Sequence, residues 1–258
     1  MQMKILITGA TDGIGLATAK KLTQQGHHVL LHGRNTAKLK AVARELGDDK
    51  TEQWVADFSK LAEVKELAEK IAAKHKHLDV LINNAGVFNA TDTVTDDGLD
   101  IRFAVNTVAP YLLTKSLLSL MDESGRIINL SSVAQQPLDM EALMGQKRIS
   151  DGQAYAQSKL GLTMWSIELA KHVTPVVVAI NPKSLLGTKM VKKAFGTEGH
   201  DLTIGADLLC RAALTEEFVD ADGKYYDNDQ EAFGEPHPDA KNAQKATELM
   251  KRMDTLFE

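Results

Sequence analysis

Tyr155 and Lys159 stand four residues apart in Tyr155-Ala156-Gln157-Ser158-Lys159. On a helix that spacing puts both side chains on one face, one above the other. A phenol, with an ordinary pKa of about 10, is a poor acid–base partner near neutrality. An ammonium about 4 Å away, at an effective dielectric of 20, favours the phenolate by about 4 kcal/mol. Fully expressed, that attraction brings the phenol to about 7. The pair therefore reads as a proton-transfer device. A second feature is the loop Thr8-Gly9-Ala10-Thr11-Asp12-Gly13-Ile14-Gly15, which follows an apolar run and precedes a helical pattern. Its glycines allow a tight turn and close approach of backbone to a pyrophosphate, with the next helix aiming its N-terminal amides at the phosphates.

These residues need a scaffold, and the hydrophobic pattern supplies one. Ile5-Leu6-Ile7, Val29-Leu30-Leu31, Trp54-Val55-Ala56, Val80-Leu81-Ile82, Ile127 to Leu130 and Val176 to Ile180 read as strands. Each is a nearly continuous apolar run, as expected of parallel strands covered on both faces. Helical patterns lie between them: Leu16 to Gln25, Thr36 to Leu46, Leu61 to His75, Gly98 to Leu120 and Tyr155 to Lys171. The alternation predicts an α/β fold, a single doubly wound Rossmann-type domain over 1–258, with helices on both faces of a parallel sheet. Segments 135–152 and 183–200 break the rhythm after strand ends, where such sheets bind ligands. They read as substrate loops.

The glycine spacing at Gly9, Gly13 and Gly15 is G-x-x-x-G-x-G, which resembles the short-chain dehydrogenase/reductase family. Asn83-Asn84-Ala85-Gly86 after the fourth strand matches it too, and Asn106, Ser132, Tyr155 and Lys159 fall on its catalytic positions. The resemblance covers nearly the whole chain. A long interval from Ser132 to Tyr155, Tyr225 and a helical C-terminal tail are similar to the retinol-dehydrogenase-like and related bacterial members. The resemblance implies that Ser132 bonds the substrate oxygen and steadies a developing alkoxide. It implies that Asn106 distorts its helix and holds a water in a proton relay, and that an oxidised nicotinamide adds positive charge beside Tyr155.

Cofactor contacts follow by the same resemblance. The phosphates fall to Gly9, Thr11, Asp12, Gly13, Ile14 and Gly15, and other parts of the cofactor to Asn84, Ala85, Gly86, Tyr155, Lys159, Pro182 and Thr188. Asp57 and Phe58 follow the third strand, where the family uses the carboxylate on the adenine; a helix cap is the alternative for Asp57. NAD-specific relatives end the second strand on an acid. Here His32-Gly33-Arg34 has none, and the Arg34 fork suits a 2′-phosphate. NADP is the expected cofactor and NAD the alternative, since Asp12 stands where NADP enzymes often carry a basic residue. Lys183 departs from the family glycine, which lets backbone approach the nicotinamide, and Gly187 is the next residue able to recover the turn.

Composition narrows the rest. The 258 residues are 43% apolar and 25% charged, ordinary for a soluble globular protein. A net charge of −5 without a basic block argues against nucleic acid. The lone Cys210 excludes an internal disulfide and reads as a buried apolar residue. Met1 to Lys4 leads directly into the first strand, so no signal peptide or membrane segment is expected, and the location expected is cytoplasmic. No metal is expected, and His75 and His77 read as a solvated helix end. Leu138, Met140, Leu143 and Met144 suggest an apolar pocket. The chain is thus expected to move a hydride between NADP(H) and a small-molecule carbonyl or alcohol, with homo-oligomerisation left open. The rival is an NADP-sensing regulatory protein on the same fold.

Overall fold

A computed structural model of the protein describes residues 2–257; residues 1 and 258, the ends of the expected domain, lie outside it. The first half alternates β1 (Lys4–Ile7), α1 (Gly13–Gln24), β2 (His28–Gly33), α2 (Thr36–Leu46), β3 (Thr51–Val55), α3 (Leu61–Lys74) and β4 (Val80–Asn83). Next come α4 (Ile101–Phe103), α5 (Ala109–Leu117), β5 (Arg126–Leu130), α6 (Met140–Leu143), α7 (Asp151–Ala170) and β6 (Val176–Asn181). The remainder is α8 (Lys189–Phe195), α9 (Leu202–Leu214), β7 (Tyr225–Asp227), β8 (Ala232–Gly234) and α10 (Ala243–Asp254). One sheet runs β3-β2-β1-β4-β5-β6-β7-β8, parallel except for the antiparallel β7–β8 pair. The order reverses at β1, so the crevice for a ligand opens beyond the C-terminal ends of β1 and β4.

Both faces of the sheet are covered. Ile5, Ile7, Val29 and Leu31 pack with Leu22, Leu39 and Leu208 from α1, α2 and α9 on one side. Leu6, Leu30, Leu81 and Ile127 pack with Leu67, Ile71 and Leu113 from α3 and α5 on the other. Helix α7 is buried on almost every side, because α10 and the segment before it cover the face turned from the sheet. The six expected strands are present, with two more, β7 and β8, extending the sheet. The Trp54-Val55-Ala56 strand is corrected: it ends at Val55, and as an edge it alternates in burial, leaving Val55 49% exposed.

The expected helix from Gly98 to Leu120 is also corrected. Asp100 caps a single turn, α4, through the Arg102 amide at 2.9 Å. The chain then widens into a π-helical stretch at Ala104–Val108 before α5 continues. At the other boundary, α7 begins four residues before Tyr155. Ser150 and Gln153 form a capping box there, so Tyr155 sits just past a fixed first turn rather than at a frayed end.

Arg102 joins these parts. It is 1% exposed, and its guanidinium donates to both oxygens of Asp100 at 2.9 and 2.7 Å. It also pairs with Asp151 at the start of α7 (2.8 Å) and donates to the Phe88 carbonyl (3.2 Å). Removing one partner of a buried ion pair strands the other charge at a cost of about 3–5 kcal/mol. Arg102→Met should therefore lower the melting temperature by about 10 °C, with part of the loss recovered when Asp100→Asn is added. Thermal unfolding followed by circular dichroism checks this, and an unchanged melting temperature would rule out the joining role.

Candidate active site

The glycine loop is shaped by contacts that leave no room for side chains. Gly9 has φ 67°, and a Cβ there would lie 3.0 Å from the Ala85 Cα. A Cβ on Gly15 would lie 2.4 Å from the Gly9 carbonyl oxygen. The Thr8 hydroxyl accepts from the Asn84 and Ala85 amides, each at 3.0 Å. Asn84 returns the support, its side-chain amide donating to the Thr8 and Gly9 carbonyls at 2.8 and 3.1 Å. Its side chain thus braces the loop, and the residue borders the cavity. Asp12 caps α1 through the Gly13 amide (2.9 Å) and pairs with the Lys189 ammonium (2.5 Å). Burial alone would raise the Asp12 carboxyl, but Lys189 and the Gly13 amide outweigh it and hold it below its usual range. Thr11 packs on Gly33, where a Cβ would meet its methyl at 2.9 Å, and Ile14 packs into the core from the first turn of α1.

Sequence reasoning missed His32. Its Nδ1 accepts from the Gly9 amide at 3.3 Å, which leaves Nε2 to donate to the Ala56 carbonyl at 3.0 Å. Burial pushes its pKa down to about 4, so the ring is neutral and that tautomer is fixed. Phe58 stacks on it with centroids 4.1 Å apart. Asp57 accepts from the Ser59 amide (3.0 Å) and hydroxyl (2.8 Å), closing a turn before α3. Burial would raise its carboxyl, but these bonds and the charge of Arg34 keep it low. Arg34 is exposed at the end of β2, and Lys38, one helical turn further on, borders the same cavity. The spacing of Lys38 from Arg34 was the available signal, although a charged residue there also reads as a solvated helix face.

At the far end of the crevice, the Ser132 hydroxyl hydrogen-bonds the Tyr155 phenol, and Lys159 lies with Nζ 5.8 Å from the centre of the Tyr155 ring. Lys159 is 6% exposed and donates to the Leu130 carbonyl at 2.7 Å. Burial pulls its pKa down to about 8. Burial pushes the Tyr155 phenol up, with the bond from Ser132 opposing it. Phe88 packs edge-on against the Tyr155 ring at 4.8 Å. Asn106 lies in the π-helical stretch; its amide spans the Val87 N–H (2.8 Å) and C=O (2.9 Å) and donates to the Ser158 hydroxyl (3.0 Å). Gly86 fits between: a Cβ there would lie 3.5 Å from Asn106 Oδ1 and 3.7 Å from Lys159 Nζ. Tyr225, from the unforeseen strand β7, donates to the Ser132 carbonyl at 3.2 Å.

The segment after β6 closes the crevice. Lys183 has φ 123°, so a residue with a Cβ holds the turn where a glycine was expected. Gly187 does not recover that turn. It abuts the 198–200 backbone, where a Cβ would lie 2.6 Å from the Glu198 carbonyl oxygen. Thr188 caps α8 through the Val191 amide (3.1 Å), and its methyl faces Gly13. The Pro182 carbonyl accepts from the Asn228 side-chain amide (2.9 Å). A cavity of about 880 Å³ runs from Arg34 and Lys38 past the glycine loop to Tyr155 and Lys183.

Two expectations need correction. Leu138, Met140, Leu143 and Met144 do not line this cavity; they pack with Leu160, Trp165 and other core residues. Its apolar wall comes instead from Val87, Phe88, Val133, Leu185 and Met190. His75 is not solvated: it is buried against Trp54, with Nε2 3.1 Å from Glu52. Cys210 is buried as expected, which pushes its thiol up to about 11. Among the described residues no cluster of His, Cys, Asp or Glu could hold a metal ion, and no helix is long and apolar enough to cross a membrane.

Residues 3–199 match the family model for short chain dehydrogenase. The chain belongs to that family. This short-chain dehydrogenase is 31% identical to human retinol dehydrogenase 13 over 271 aligned residues, covering 95% of this chain and 81% of that protein. A solved structure from Mycobacterium paratuberculosis superposes with a TM-score of 0.81 at 26% identity, over 99% of this chain and 93% of that one. A metagenomic short-chain oxidoreductase in complex with NADP superposes with a TM-score of 0.62 at 30% identity, covering 82% and 90%. The chain is accordingly an oxidoreductase of this family, with a Rossmann-type fold and a site for a nicotinamide dinucleotide.

The buried ammonium has a thermodynamic signature. Lys159 titrates near 8 when folded and near its ordinary 10.5 when unfolded. Between those values the unfolded chain keeps a proton that the folded chain has released, so this group adds stability as pH rises. Wild type should gain about 3 kcal/mol relative to Lys159→Met between pH 7.5 and 10.5. Urea unfolding of both proteins across that range measures the difference; a constant difference would mean that Lys159 is not desolvated.

Proposed function

We propose that this short-chain dehydrogenase is an NADP-preferring enzyme that interconverts an apolar alcohol and its carbonyl. The observation that carries the reading is one continuous cavity joining a cationic end, a glycine cradle and a Ser–Tyr–Lys set. The cradle fits a dinucleotide, because glycine at 9 and 15 lets the loop fold tightly against Asn84 and Ala85 and α1 begins directly beneath it. Arg34 and Lys38 suit a 2′-phosphate, and no carboxylate ends β2 to compete. The family's acidic contact with the adenine falls to Asp57. When bound, the nicotinamide exchanges a hydride with the substrate carbon.

The chain's own residues handle the proton. Ser132 holds the substrate oxygen, and Tyr155 gives it a proton in reduction or takes one in oxidation. The Lys159 ammonium favours the phenolate that remains, and the Leu130 carbonyl keeps it aimed. Asn106 and Ser158 fix the ground beneath this set. An apolar substrate is supported by Phe88, Val133, Leu185 and Met190 in the cavity wall. The name of the human relative agrees, retinol being an apolar alcohol. Segment 183–200 supplies part of that wall and acts as the substrate loop, whereas of 135–152 only Gly152 borders the cavity.

Arg34→Ala should weaken NADPH binding by about 2 kcal/mol, or some thirtyfold, while NADH binding stays within about threefold, since one charge-assisted pair is lost with the phosphate alone. Calorimetric titration with both cofactors checks it, and equal losses would remove Arg34 from the phosphate site. Tyr155→Phe should lower turnover on a panel of apolar aldehydes and alcohols by at least about a hundredfold, with NADPH affinity nearly unchanged. A variant that keeps a tenth of its activity would move the proton transfer to another group.

A further inference from the structure

Pro182, Lys183 and Ser184 border the reacting end of the cavity, just beyond β6 and beside the end of β5 that leads to Ser132. A φ of 123° at Lys183 is a conformation that glycine adopts freely and residues with a Cβ adopt rarely. Such a turn persists only where its surroundings hold it. Both flanks of Lys183 are tied to one place, the turn between β7 and β8. Before it, the Asn181 side-chain amide donates to Asp227 at 2.7 Å and to Asp229 Oδ2 at 2.9 Å. After it, the Ser184 amide donates to Asp229 Oδ1 at 3.0 Å and its hydroxyl to Asp229 Oδ2 at 2.5 Å. The holding turn is itself fixed, with the Asn228 amide on the Asn181 carbonyl (3.1 Å) and the Asp229 amide on the Asp227 carboxylate (3.0 Å). Asp229 is the group that grips the chain on both sides of Lys183.

We infer that Asp229 is a positioning residue of the active site, clamping the left-handed Lys183 turn against the reacting end of the cavity. Its carboxylate is suited to the work. Burial would raise its pKa, but the Ser184 hydroxyl and amide outweigh this, and the Lys183 charge adds to them. It accepts three donors and needs to donate nothing. Asparagine has one side-chain oxygen. With that oxygen at the Oδ2 position it turns an N–H toward the Ser184 amide, and with it at the Oδ1 position it turns one toward the Asn181 amide. Asp229→Asn therefore weakens the grip through a donor–donor conflict in either orientation. What the turn positions rests on the hydride-transfer reading above; the clamp itself is a property of the cofactor-free protein.

A double-mutant cycle between Asp229→Asn and Lys183→Gly tests the inference, because glycine adopts the turn without a clamp. With Lys183 present, Asp229→Asn should slow single-turnover hydride transfer by about tenfold while NADPH affinity changes less than about threefold, since small displacements cost rate more than binding. In the Lys183→Gly background the same substitution should cost less than about threefold. Melting temperatures of the four cofactor-free proteins should show the same non-additivity. Ser184→Ala, which removes one hydroxyl, provides a milder second cycle with the same sign. Equal losses in the two backgrounds, in rate and in melting temperature, overturn the clamp. If wild type binds no NADPH but the melting temperatures are still non-additive, the clamp stands and the cofactor reading falls.

Discussion

The Lys159 ammonium is buried with the Leu130 carbonyl as its hydrogen-bond partner, and the described residues show no carboxylate paired with it. A cation taken out of water without a counter-charge opposes folding, which is why its proton is held so loosely. The surrounding structure has to make that position obligatory. Leu130 is the last residue of β5, a strand paired on both sides by β4 and β6. Lys159 extends from the middle of α7, which the core and the C-terminal segment enclose. Neither end of the contact can shift without unpacking a layer. The same low-dielectric setting that costs stability strengthens the pull of the ammonium on the nearby phenol.

Around that contact, polar groups are used to fix backbone rather than to meet solvent. Asn106 satisfies both backbone groups of Val87, and the widened π turn lets its amide also reach Ser158. Asn84 and Thr8 lock the strand ends of β1 and β4 to each other. Neutral His32 joins β2 to the glycine loop on one side and to the end of β3 on the other. Strand ends that would otherwise fray are thereby stitched across the crevice. A rigid rim of this kind pre-aligns a long ligand and reduces the ordering cost of binding it.

How much of this was legible in the sequence depended on whether the signal was local. Helix α2 was read to the residue, because its apolar period is regular and Gly47 stops it, and the structure adds an Asn35 cap at its start. The proposed catalytic set and the cradle rest on spacing, which a sequence displays directly. Strands β7 and β8 escaped because they are three residues each, in a region of turns and charges. The widening at Ala104–Val108 was legible only through the family resemblance, which implied a helix distortion at Asn106; by pattern alone, the apolar residues of Val105 to Leu113 look like one regular helix. Leu138 and Leu143 were assigned to the wrong space for a simple reason: a pattern shows that a residue is buried, not which cavity or core receives it. His75 failed similarly, since its partner Glu52 is 23 residues away.

The unforeseen hairpin matters most for the chemistry. Tyr225 reaches the Ser132 carbonyl, Asn228 reaches the Pro182 carbonyl, and Asp229 reaches both sides of Lys183. One short element at the edge of the sheet thus braces two walls of the reacting end. It lies beyond residues 3–199, the part that matches the family model. The residues proposed to perform the reaction and some of those that hold them still are therefore encoded in different parts of this chain. Spacing identifies the first group because its chemistry fixes residue types at short range. The second group is set by which strand ends happen to be adjacent in the sheet, and only the fold establishes that adjacency.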